Sequence, residues 1–109
     1  MSFNSRQEIE AGSALLDEKA SGWIERINLE LLDLSNTCDC VVGQLFPNIS
    51  YLNALEVLFG KDSDENDVVA MSRGCGFSID CYGLSFQKRD ALYSQLTQEW
   101  KEYIRERIG

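Results

Sequence analysis

Histidine is absent from this 109-residue chain, and proline occurs once, as Pro47. Without histidine, the usual base for a serine or cysteine nucleophile is missing, and imidazole-ligated metals are ruled out. No apolar run approaches the ~18 residues that a membrane-spanning helix needs. Basic residues are also few: 10 Lys and Arg stand against 18 Asp and Glu, a net charge of −8. Direct binding to nucleic-acid phosphates needs clustered Lys and Arg, so it is not expected. The first ten residues, MSFNSRQEIE, have neither an apolar core nor a cleavage pattern. A cytoplasmic protein with reduced cysteines is therefore expected.

What is present is ordinary for a globular chain. The length suits one small domain with a core of its own. The apolar fraction is 44% and aromatics make up 10%, which argues against disorder. The charge is uneven. Residues 86–109 hold five basic and four acidic groups, so residues 1–85 carry −9.

Helical signals dominate. Ser5 stands three residues before Glu8, a capping-box spacing, and Ile9, Gly12 and Leu16 follow at helical intervals. A first helix is expected over 6–19. Ser21-Gly22 can start a short second helix through Trp23, Ile24 and Ile27. The broken leucine alternation over 28–35 indicates an extended connection or a single turn. Ser35, Asn36 and Thr37 are good N-cap types for a third helix over 37–46, which Pro47 stops.

Ser50 or Asn48 caps a fourth helix whose apolar face carries Leu52, Leu55, Leu58 and Phe59, and Gly60 ends it. A fifth helix is expected over 64–72, with Asp64, Glu65 and Asp67 in its first turn, where the helix dipole favours them. The three glycines over 74–84 indicate a loop, with a small hairpin as the alternative. Ser85 then starts a long last helix, 86–108, with Leu92, Leu96, Trp100, Tyr103 and Ile104 along one face. The expected fold class is all-α: a compact array of five or six helices with a long C-terminal one.

Several motifs invite chemistry and fail on spacing. Four thiolates can hold zinc, but the spacings are Cys38-x-Cys40 and Cys75-x5-Cys81. On a helix, Cys38 and Cys40 point about 200° apart. Cys40 then reads as a small buried apolar residue and Cys38 as a partly exposed thiol. The run Asp62-Ser63-Asp64-Glu65-Asn66-Asp67 resembles the start of a calcium loop. Position six is Asp67 where glycine is needed, and position twelve is Arg73 where glutamate is needed. Gly74-x-Gly76 lacks the third glycine of a dinucleotide loop. Adjacent acids such as Asp17-Glu18 read as a solvated helix face. Neither a cofactor nor a catalytic residue is assigned.

A set of landmarks remains. Leu15-Leu16-Asp17-Glu18 precedes Gly22-Trp23, then Leu32-Asp33-Leu34 and Cys40-Val41-Val42-Gly43-Gln44-Leu45-Phe46. Gly76-Phe77, Tyr93, Leu96-Thr97, Trp100, Ile104 and Arg107 complete it. Over residues 15–107 the chain resembles a family of short proteins of actinobacterial phages and actinobacterial genomes. Ser21 stands where that pattern carries proline, and Cys38, Cys75 and Cys81 lie outside it. The resemblance implies a mobile-element origin and supplies no activity. Accessory phage proteins of this size often bind a host protein.

The resulting expectation is a non-enzymatic protein-binding module without membrane or nucleic-acid contact. An acidic mimic of nucleic acid and a cysteine-based metal protein are the alternatives. The candidate partner-binding residues are Asp62, Asp64, Glu65 and Asp67. Cys40, Gly43, Gln44 and Phe46 form a candidate structural motif, with Gln44 able to hydrogen-bond a neighbouring backbone group. The cysteine spacing generates a direct test. Adding a strong chelator or a thiol reductant should move the thermal midpoint by less than about 4 °C, which corresponds to about 1 kcal/mol in a domain of this size. A larger loss with the chelator would restore the metal reading, and one with the reductant would point to a cross-link, for which Cys75 and Cys81 stand close enough in sequence only if the chain between them turns tightly.

Overall fold

The computed structural model describes residues 6–36, 38–60, 71–79 and 83–108. Five helices lie among them: α1 (Arg6–Lys19), α2 (Trp23–Arg26), α3 (Val41–Leu45), α4 (Tyr51–Phe59) and α5 (Phe86–Ile108). A further helical turn covers 71–74, and the described residues contain no strand. The chain is thus all-helical with a long C-terminal helix. None of these helices is long and apolar enough to cross a membrane.

Local chemistry explains most boundaries. Gly22 takes the left-handed conformation, φ 79°, that turns the chain into α2. Ser50 caps α4 by accepting the Asn53 N–H, and Gly60 ends that helix with φ 103°. The Ser85 hydroxyl accepts the Lys88 N–H at 3.3 Å and its carbonyl accepts that of Arg89, which starts α5. The Ser5 cap expected for α1, and residues 61–70 of the expected fifth helix, lie outside the described residues.

Three expectations are corrected. The third helix begins at Val41 and not at residue 37. Asn36 is the reason: its side chain accepts the Cys38 N–H at 2.8 Å, and its carbonyl accepts those of Asp39 and Cys40. Those donors are satisfied in a turn, so the helix starts one turn later, capped by Cys40. In α4, Leu52 is 38% exposed while Ala54, Leu55 and Leu58 are buried, so the apolar face is rotated towards Ala54. Among residues 74–84, Gly74 still belongs to the helical turn, beyond the expected helix end at 72, and the described residues after it form turns, a bend and irregular backbone with no strand.

The buried side chains form one cluster with Trp100 at its centre. Trp100 is fully buried and Trp23 is 1% exposed. Their rings meet edge-on at 6.1 Å, Phe77 stacks on Trp100 at 6.0 Å, and Tyr103 meets it edge-on at 6.2 Å. Such pairs add about 0.5–1.5 kcal/mol each beyond burial. The Trp100 indole N–H donates to the Gly76 carbonyl at 2.6 Å. Gly76 has φ 74°, and the segment around it closes on itself through Phe77 N–H to Ser72 O, 2.9 Å. That segment lies directly against α1. A Cβ on Gly12 would overlap the Cys75 carbonyl oxygen, so this helix position requires glycine.

α1 and α5 are also joined by polar contacts. Arg107 donates to the Ser13 hydroxyl at 2.6 Å and to Asp17 at 3.1 Å, and Tyr103 donates to Ser13 at 2.9 Å. Asp17, expected on a solvated face, accepts the Trp23 indole N–H at 2.9 Å. An exposed ion pair is worth little by itself. Here it holds the carboxylate that satisfies a buried indole.

Replacing Trp100 separates its two roles. Trp100→Ala should cost about 3–5 kcal/mol in urea unfolding. Trp100→Phe keeps a ring but leaves the Gly76 carbonyl without its donor, and should cost about 1–3 kcal/mol plus the smaller ring's lost packing. Equal, near-zero losses in both variants would remove Trp100 from the centre of the fold.

Candidate functional site

Asp62, Asp64, Glu65 and Asp67 lie outside the described residues, as do Asp80 and Cys81. The structure does place the second group. Cys40, Val41, Val42, Gly43 and Leu45 are buried, and Gln44 and Phe46 are partly so. Cys40 Sγ accepts the Gly43 N–H at 3.2 Å, so the thiol serves as the helix cap. Burial pushes the Cys40 thiol up from its ordinary value, against the pull of the Gly43 and Val42 backbone donors. It is therefore an inert, neutral thiol near pH 7. Cys38 is exposed and Cys75 half-buried, both as free thiols. Among the described residues, no three Cys, Asp or Glu side chains group closely enough to hold a metal ion.

Gln44 uses its amide as a detached peptide group. Its Oε1 accepts the Asn28 N–H at 2.7 Å. Its Nε2 donates to the Asn28 carbonyl at 3.2 Å and to the Asp39 carbonyl at 2.9 Å. One side chain thus ties the exit of α2 to the turn before α3. The loop between them is further fixed by Asp33, which accepts both the Ser35 N–H and its hydroxyl. The Leu34 N–H reaches across to the Thr97 hydroxyl on α5 at 2.9 Å.

That last bond places the loop beside α5 and leaves a groove of about 480 Å³ between them. Its walls carry Glu30, Asp33, Asp39 and Asp90, with Ser94 and Gln98 further along the helix. Among the described residues, lysine and arginine are missing from the lining. Four carboxylates facing one open space raise its attraction for cations and weaken that for anions. A second cavity, about 340 Å³ and more apolar, lies between α3 and α4 with Cys38, Phe46, Pro47, Ile49 and Tyr51 in its walls. The Tyr51 hydroxyl donates to the Phe77 carbonyl at a long 3.5 Å, and burial pushes its phenol well above the usual tyrosine range.

The groove was not identified from sequence. One half of it was visible as Asp90, Ser94 and Gln98 at four-residue spacing. The other half sits 51–68 positions away in a loop, and only the Leu34–Thr97 bond brings them together. No family model, no curated protein and no solved structure matches the chain.

Gln44 offers the sharpest probe of this scaffold. Gln44→Ala removes both a donor group and an acceptor from three backbone partners, and should cost about 1–3 kcal/mol. Amide hydrogen exchange should quicken at Asn28. A variant with unchanged stability and unchanged exchange would show that the loop holds itself without Gln44.

Proposed function

We propose that the protein is a non-enzymatic protein-binding module of phage or mobile-element origin. It acts in the cytoplasm on a host or phage protein, through its acidic surface and without a cofactor. The observation that carries this reading is the open groove walled by Glu30, Asp33, Asp39 and Asp90, with no cation in its lining among the described residues. A binding surface needs accessible, unneutralised groups, whereas general acid-base or nucleophilic catalysis needs a converging set of activated ones. The carboxylates of the groove have the first character. The mobile-element origin rests on the resemblance over residues 15–107.

Nucleic-acid mimicry is the second reading, favoured by the −9 carried on residues 1–85. Its partner would be a DNA- or RNA-binding protein, and its contacts would be dominantly ionic.

The test immobilises the full chain in an actinobacterial lysate at low salt. A protein retained there, purified and rebound to the chain alone, is the expected result. Rising salt should slow association, since exposed charges act mainly on encounter. Competing duplex DNA then separates the readings: displacement supports mimicry, and retention supports a dedicated protein contact. Failure of any retained protein to rebind in purified form would overturn both.

A further inference from the structure

We infer that the groove between α5 and the 30–39 loop docks a basic amphipathic segment of the partner, with lysine or arginine residues flanking an apolar side chain. This inference rests on the protein-binding reading and names the surface and the chemistry of its occupant.

The starting observation is an unpartnered helix face. Every residue from Phe86 to Ala91 is exposed, so the start of α5 presents its side chains to solvent. Phe86, Asp90, Ser94 and Gln98 recur at four-residue spacing and form one row along the helix. Asp90, Ser94 and Gln98 line the groove, and Phe86 extends the row one turn beyond it. Phe86 is 78% exposed, the highest value among the large apolar side chains, and Arg89 lies 5.5 Å over its ring. Leu31 on the opposite wall is 57% exposed. It follows Glu30 in a turn fixed by Asn28, whose side chain accepts the Glu30 N–H and whose carbonyl accepts that of Leu31. Seven large apolar side chains are exposed among the described residues, and of these Leu31 lines the acidic groove while Phe86 lies one turn beyond its end.

Charge selects the occupant. Glu30, Asp33, Asp39 and Asp90 take part in no ion pair among the described residues. Lys88 is on the same turn as Asp90 but on another face of the helix, whereas the Arg89 guanidinium covers the Phe86 ring at the end of the row, outside the groove. A second copy of the chain would bring its own −8 and the same acidic walls, so like charges oppose self-pairing across this face. Duplex DNA or an anionic membrane is repelled for the same reason. A cationic segment with an apolar residue meets both features: its charges face the carboxylates, and its apolar side chain covers Leu31 or Phe86. The row from residue 86 to 98 runs about 18 Å, which matches about three turns of helix or five to six extended residues.

The experiment uses the full chain, isotope-labelled, and two synthetic peptides of about four helical turns. One carries lysine and leucine in an amphipathic pattern, and the other carries glutamate in place of every lysine. The lysine peptide should shift the amide resonances of residues 30–39 and 86–98, and the glutamate peptide should not bind. Glu30→Gln with Asp90→Asn should weaken binding by about fivefold to tenfold and flatten its salt dependence. Phe86→Ser should weaken it at low and high salt alike. The amide spectrum of each variant verifies its fold.

Three results would overturn the inference: equal binding of the glutamate peptide, resonance shifts scattered over the whole surface, or unchanged affinity in folded variants. The lysate-derived partner separates this failure from that of the wider reading. If that partner binds a variant combining Glu30→Gln, Asp90→Asn and Phe86→Ser as tightly as it binds the original chain, the groove falls and the protein-binding function stands.

Discussion

The indole of Trp100 is the point on which the fold depends. It is fully buried, in contact with three other rings, and its N–H closes on the Gly76 carbonyl. A buried indole N–H left unpaired would cancel much of what the ring contributes by leaving water. The carbonyl that satisfies it belongs to a residue in the left-handed region, so the loop must carry glycine there. That loop reaches α1 only because Gly12 has no side chain in its way. Trp100, Gly76 and Gly12 are thus one constraint distributed over three segments. Trp23 joins the same cluster from the other side and is satisfied in turn by Asp17.

A second arrangement serves the surface. The described residues of 28–40 form no regular element, yet their backbone is tied down by side chains: Asn28 and Asn36 close turns, Asp33 holds Ser35, and Gln44 bridges Asn28 and Asp39. Side-chain amides and carboxylates here take the place of a strand's hydrogen-bond ladder. Leu32 and Leu34 anchor the segment inward, and the intervening Leu31 and Asp33 face out. The wall of the acidic groove is therefore a braced surface, and it presents its carboxylates at fixed positions.

Local periodicity made much of the fold legible. The end of α1 and the start of α5 follow from apolar spacing and the Ser85 cap, and both tryptophans lie where their helical stripes place them. The start of α3 was misplaced because Asn36 is as able to close a turn as to cap a helix. Here it closes the turn, with the Asp39 carbonyl of that turn held by Gln44. Leu52 was misplaced because a nine-residue helix offers two overlapping stripes, and the smaller Ala54 wins where the neighbouring elements come close. Asp17 gave no sign of its role, since its partners Trp23 and Arg107 come together only in three dimensions. The groove was half legible for the same reason: helical spacing reveals the α5 row, and nothing local reveals the loop that faces it.

The Leu34–Thr97 bond sets an order of events during synthesis. The loop that walls the groove emerges from the ribosome some sixty residues before the helix that completes it. Trp100 and Arg107 emerge later still. Contacts of such long sequence separation close late and at high entropic cost. A nascent chain can form α1 and its local turns, but it has neither a filled core nor a groove until α5 is free. The groove and the core are thus completed together, and a chain shortened before Trp100 lacks the ring on which the core is built.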